Sequence, residues 1–209
     1  RGMGRFDACK AVLAALEDSF LDPTAPLTDG AYHVFSTGAG DITNPFFFPL
    51  DGNGDGALAH PSFVADIADD DDRLAKVFER TDSRTFDGLT SAFDVDVYAS
   101  PTAAIPIIRN AELILLRAEA RAQTSAPGAA VADLDVIRTA AGLAPYTGAT
   151  TQAALIDEVL RQRRYELYAE GHRWIDLRRY GRLGTLPIDR AGDDIFSQFP
   201  LPEQEVLDS

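Results

Sequence analysis

The densest cluster of ionisable side chains lies between Arg161 and Arg179 and includes Arg163, Arg164, Glu166, Glu170, His172, Arg173, Asp176 and Arg178. His172 and Asp176 stand four residues apart, on one face of any helix they share, and Glu170 is close in sequence. Two such ligands are too few for a closed zinc site, and the arginines around them repel a cation. A glycosidase pair needs two carboxylates facing each other across a cleft, which carboxylates on consecutive turns of one helix do not do. The plainer expectation is a lattice of ion pairs between helices, with Trp174 in the core.

A second pattern is Asp51-Gly52-Asn53-Gly54-Asp55-Gly56. Oxygen side chains at alternate positions with glycine at the sixth are how a chain wraps calcium, and Asp51, Asn53 and Asp55 are the candidate ligands. The twelfth position of that loop is Ser62, where the pattern needs a bidentate carboxylate. Calcium is therefore the only cofactor the sequence raises, beside the alternative of a polar Asn-Gly and Asp-Gly turn.

The third candidate is aromatic. A sugar ring has apolar CH faces and a hydroxyl rim, so a site for it needs rings to stack on and oxygen or amide groups beside them. Tyr32, Asp41, Asn44, Phe46 and Phe47 meet that description, together with Tyr98. Phenylalanines that plug into a core would look the same. Tyr32 and Tyr98 are the rings expected to be exposed. No nucleophile elbow, phosphate loop, dinucleotide fingerprint or Cys/His metal set occurs.

These groups sit in a chain of 209 residues with 45% hydrophobic and 25% charged residues, the balance of a globular protein. The net charge of −14 argues against nucleic acid as a partner, because phosphates would be repelled. The lone Cys9 has no partner for an intrachain disulfide and falls at an apolar helical spacing, which predicts a buried thiol. No apolar run approaches the length needed to cross a membrane. The chain opens at Arg1 with nothing resembling an export signal, as expected of a mature piece or a fragment.

The elements that must position the candidates follow from periodicity. Phe6, Cys9, Leu13, Leu16 and Phe20 form one stripe of a helix from Phe6 to about Phe20. Residues 28–60 are glycine- and proline-punctuated, with a short strand at Tyr32 to Phe35, and a short helix follows at Ser62 to Ala68. Residues 80–105 read as irregular. Helices are expected over Ile107 to Ala122, Ala129 to Ala141 with Gly142 at C′, and from Thr151, as N-cap, to Gly171. His172 to Tyr180 continues that helix or restarts after a kink. Paired helices near 106 and 151 suggest stacked hairpins.

Several segments resemble the SusD/RagB family. Arg109 to Ala120 (RNAELILLRAEA) is similar to the helix that opens that family's C-terminal region. Asp135 to Leu143 (DVIRTAAGL) resembles its next motif, with Asp135 and Thr139 in place of the usual Asn and Arg. Arg164 to Gly181 (RYELYAEGHRWIDLRRYG) and the tail Phe199 to Glu205 (FPLPEQE) are similar to its last two motifs, and Asp72-Arg73-Leu74 stands where the family often has Asp-Pro-Arg.

The resemblance implies a mostly α fold: tetratricopeptide-like helical hairpins with long irregular loop insertions. Residues 1–105 would supply an N-terminal helix and a loop-rich ligand-binding insertion, and 106–209 the scaffold, as one unit cut from a longer chain. It further implies a non-catalytic, lipid-anchored protein on the outer-membrane surface, without the anchor in this chain. Such a protein binds oligosaccharides or other nutrients and partners a SusC-like TonB-dependent outer-membrane transporter. Two rivals remain at this stage. One is a calcium-dependent hydrolase using Asp51, Asp55 and His172. The other is a helical-repeat scaffold with no small ligand.

Overall fold

The computed structural model describes residues 5–198. The proline-bearing tail from Phe199, the opening Arg1 to Gly4 and the Phe6 side chain lie outside the described residues. Six helices and four strands run in the order α1 (Arg5–Glu17), β1 (Gly30–His33), α2 (Ser62–Asp66), β2 (Val77–Phe86), β3 (Leu89–Val95), β4 (Ile105–Arg109), α3 (Asn110–Gln123), α4 (Pro127–Ala140), α5 (Gln152–Glu166) and α6 (Arg173–Arg179). Helix predominates, as expected.

The main core is where α3, α4 and α5 meet. Ile114, Leu115, Leu134, Ile137, Leu155 and Val159 are wholly buried there. The caps that define these helices are local. Thr151 accepts from the amide of Ala154 at the start of α5. Gly142 takes φ +77° after α4, and the amides of Gly142 and Leu143 donate back to the carbonyls of Thr139 and Arg138. Pro127 occupies the first turn of α4, where its missing N–H has no bond to lose.

Helix α3 begins three residues later than its periodicity predicts. Ile107 to Arg109 belong to β4, which pairs antiparallel with β1, Gly30 opposite Arg109. Ile105, Ile107 and Ile108 are β-branched, which suits a strand as well as a helix stripe. Long-range bonds decide it: the first amides of α3, on Asn110 and Ala111, donate to the carbonyls of Asp29 and Leu27. No side chain caps α3, so these distant carbonyls satisfy its orphan donors. The fully buried Asn110 side chain ties the same loop down, donating to the carbonyl and accepting from the amide of Asp22.

Residues 80–105 are largely ordered, against the reading of them as irregular. Strands β2 and β3 form a hairpin closed by Asp87 (φ 47°) and Gly88 (φ 81°). Both turn residues lie in the left-handed region, as the tight turns matching sheet twist require. A register shift between Glu79 and Arg84 broke the alternation that would have revealed the strands. The stretch at Ala57 and Ala59 lines up on β3, with bonds between Val95 N and Ala57 O and between Ala59 N and Phe93 O.

Three further expectations are corrected. Cys9 is half-buried, not buried, because α1 packs on α3 along a narrow line in which only Leu16 is fully covered. Phe20 falls beyond the end of α1 and is exposed. Trp174 is half-buried, since α6 is only seven residues long and turns its ring to a cleft instead of the core.

Candidate functional site

Three regions hold the candidate chemistry. The first is the aromatic loop. Asn44 is buried, and its side chain is a staple: Nδ2 donates to Ala103 O at 2.8 Å and Oδ1 accepts from the amide of Phe46 at 2.8 Å. Its own amide donates to Pro101 O at 2.8 Å. Those bonds hold Phe46 outward, 60% exposed, with its ring stacked near Tyr98 at 6.4 Å between centroids and 29° between planes. Phe47 is half-buried and Asp41 is exposed.

Tyr98 was expected at the surface and is buried. Its hydroxyl has no hydrogen-bond partner among the described residues. Burial, and then the charge of Glu170, push its pKa up. Tyr32 is half-buried, its hydroxyl donating to the carbonyl of Thr28. The exposed ring of the set is thus Phe46, supported from below by a tyrosine.

The second region is the Asp51 loop. The Asp51 carboxylate accepts from the Thr81 hydroxyl at 2.6 Å and stands 3.8 Å from Arg80. Its pKa is lowered, first by the Thr81 hydroxyl. The Gly52 carbonyl accepts from both Arg80 and Arg84. Arg80 in turn is buried on Asp94 at 2.8 Å. Asn53 and Asp55 are exposed. Among the described residues no group of three or more His, Cys, Asp or Glu side chains could hold a metal ion.

The third is the arginine- and acid-rich stretch, where partners lie far apart in sequence. Arg109 donates to Glu166 at 2.8 Å and to Glu170 at 2.8 Å. Arg163 donates to Asp176 at 2.7 Å, and Arg179 bridges Glu119 at 2.6 Å and Asp176 at 2.8 Å. His172 lies 3.8 Å from Glu112. Glu170, His172 and Asp176 therefore have three separate sets of partners on different elements. The C-terminal carbonyls of α5 accept from cations: Lys76 reaches Tyr165 O and Glu166 O, and Arg109 reaches Glu166 O. That placement also suits the negative end of the helix dipole.

Glu166 shows what the lattice does energetically. Burial raises its pKa, but the charges of Lys76 and Arg109 outweigh that and hold it below the ordinary value of 4.5. A carboxyl held low when folded stabilises the fold above its unfolded pKa, and that contribution is lost as pH falls through the folded value. Urea unfolding between about pH 3 and 6 is expected to show stability falling on acidification, with a shallower fall in Glu166→Gln. Equal slopes for both proteins would contradict this.

Beside this lattice lies a pocket of about 530 Å³. Its walls come from α2, the end of α5, the α5–α6 turn and Thr185 to Pro187, and include Phe63, Tyr168 and Trp174. The turn is sharp: Ala169 takes φ 62° and Gly171 φ 85°. A non-glycine residue there carries roughly 1–2 kcal/mol of strain. The sequence reading missed this pocket. The only signal for it was the Glu170-Gly171 break between two helical stretches.

The sequence profile of the SusD family matches residues 92–205. Among solved structures, a SusD superfamily protein from Parabacteroides distasonis ATCC 8503 is 18% identical with a TM-score of 0.56, over 83% of this chain and 46% of that one. A second, from Bacteroides thetaiotaomicron VPI-5482, is 19% identical with a TM-score of 0.52, over 85% of this chain and 45% of that one. A candidate sugar-binding protein from Bacteroides vulgatus ATCC 8482 is 25% identical with a TM-score of 0.54, over 84% of this chain and 43% of that one. The chain thus spans less than half the length of each. No curated protein gives a significant match. The family's profile covers more than half of the chain, through β3, β4 and the α3–α6 scaffold, and the chain belongs to the SusD family.

Proposed function

We propose that this chain is the glycan-binding part of a non-catalytic cell-surface receptor. In this reading the longer protein is lipid-anchored in the outer membrane and passes oligosaccharides or related nutrients to a SusC-like TonB-dependent transporter. The helical pairs α3–α4 and α4–α5 serve as tetratricopeptide-like hairpins that carry the loops.

Family membership carries this proposal. The sugar-binding description of the Bacteroides vulgatus relative supports it. So does the ledge formed by Phe46 over Tyr98, a flat apolar face held open by the Asn44 staple. Tyr32, Asp41 and Phe47 are the proposed neighbours of a sugar on that ledge, with Asn44 contributing by support. Asp51, Asn53 and Asp55 are proposed as the polar rim. The arginines that occupy the Gly52 carbonyl compete with a calcium ion there, so calcium is not needed by the proposal.

Isothermal titration with a panel of oligosaccharides is the test. Phe46→Ala is expected to weaken binding about tenfold, the scale of one lost stacking contact. Its stability should stay near wild type, because the ring is mostly exposed. Binding unaltered by Phe46→Ala would remove the ledge from the site. New reducing ends appearing during the titration would overturn the non-catalytic reading.

A further inference from the structure

We propose that the pocket between α2, the α5–α6 turn and Thr185 to Pro187 binds a saccharide residue carrying one carboxylate, such as a uronate. The proposal rests on the glycan-receptor reading and adds the chemical class of sugar.

Five basic side chains line the pocket beside the acid Asp66: His60, Arg163, Arg164, His172 and Arg173. Arg164 is neutralised by Asp66 at 2.8 Å and also donates to the carbonyl and hydroxyl of Ser62. Arg163 is neutralised by Asp176 at 2.7 Å. The two histidines each face an acid, His60 toward Asp189 at 3.2 Å and His172 toward Glu112 at 3.8 Å. Arg173 alone has neither a hydrogen bond nor an ion pair from its side chain among the described residues. Asp176 attracts it, but that carboxylate is already held by Arg163 and Arg179. Burial and then the like charge of Arg164 press its pKa down, the mark of a guanidinium short of a counterion.

One cation of this pocket is thus left over, in a protein whose net charge is −14. A guanidinium with nearby acids available in such excess usually pairs with one of them. This one is left facing a cavity.

A second, independent observation lies in the same wall. Arg163 is only 4% exposed, and its Nη1 is buried with no acceptor among the described residues. An unsatisfied buried donor on a charged group is costly to leave, and a ligand oxygen drawn into the pocket is the kind of acceptor that relieves it. Two guanidinium forks, at Arg163 and Arg173, match the two oxygens of a carboxylate.

The remaining walls select the rest of the ligand. Phe63, Tyr168 and Trp174 present ring surface, with Leu186 and Pro187 beside them. Rings stack on the CH faces of a pyranose, whereas a free inorganic anion would leave them without a role. The volume of about 530 Å³ suits one or two sugar units. A single leftover cation fits a monoanion better than a phosphate dianion. A uronate ring satisfies both the cation and the aromatic wall.

The test is titration of the full chain with a galacturonate trisaccharide and with its fully methyl-esterified, uncharged form, alongside neutral glycans. The acid is expected to bind about tenfold more tightly than the ester, with the difference shrinking as salt rises. Arg173→Gln should abolish the preference, and Arg173→Lys should keep part of it. Neither should shift the melting temperature much, since the Arg173 side chain makes no hydrogen bond or ion pair among the described residues. Phe46→Ala should leave the preference intact. Equal affinity for acid and ester, or a preference that survives Arg173→Gln, overturns this proposal while neutral glycans still bind. Silence toward every glycan overturns the receptor reading and this proposal with it.

Discussion

Truncating Arg109 to alanine is expected to cost the chain about 3–5 kcal/mol of unfolding free energy, the scale for breaking a buried ion pair from one side. Arg109 is 6% exposed. It donates to Glu166 Oε1 at 2.8 Å, to Glu170 Oε1 at 2.8 Å and to the Glu166 carbonyl at 2.6 Å. Removing it leaves two carboxylates facing each other in a covered site, with Arg73 at 3.8 Å and Lys76 the nearest compensation for Glu166. It also strips one cation from the carbonyl end of α5. Lysine at this position should recover only part of the loss, because an ammonium cannot fork between two acids and a carbonyl. Urea denaturation followed by circular dichroism measures the difference. A loss below about 1 kcal/mol would mean that the network behaves like an exposed pair. The exposed Arg182–Asp157 contact at 2.5 Å illustrates that other limit.

The second large effect is expected in the apolar core. Leu134→Ala should destabilise by about 2–5 kcal/mol, combining lost transfer energy with a cavity. Leu134 is wholly buried on α4 among Ile114, Leu115, Ile137 and Leu155, where α3 and α5 close over it. Close packing by α3 and α5 limits how far the site can collapse, which favours the upper part of that range. Leu134→Met, which nearly conserves volume, should cost below about 1.5 kcal/mol. The unfolding midpoint in urea checks both. A Leu134→Ala protein unfolding with the wild type would show that the three-helix contact is not the main store of stability.

What could be read from the residues in order, and what could not, divides along the range of the forces involved. The helices of 110–166 were legible because their stripes are local, as are the glycine that ends α4 and the threonine that caps α5. Thr151 caps an amide three residues on, and Gly142 takes a backbone angle that only its own lack of a Cβ makes easy. The family motifs lie on that same scaffold, which is why the fold was readable through them. The Asp87-Gly88 turn was equally local and was passed over, because the register shift at Glu79–Arg84 hid the strands flanking it.

The candidate sites were a different matter. Phe46 and Tyr98 are 52 positions apart, and which of them faces water depends on Asn44 reaching Ala103 and Pro101. Composition could only mark both rings as candidates, and it placed the wrong one outside. The acid–arginine lattice was foreseen as a class. Its pairings were not, since Arg109 meets Glu166 and Glu170 across more than fifty residues of chain.

The chain by itself therefore determined its main helices, the locally capped ends of α4 and α5, and its family, because each rests on interactions spanning a few residues, whereas the start of α3 was set by the distant carbonyls of Leu27 and Asp29. Only the tertiary structure decided which ring is offered to a ligand, which acids are spoken for and which of the pocket's arginines is left over. Exposure and charge balance are properties of neighbours in space, and neighbours in space are set by the packing of distant segments.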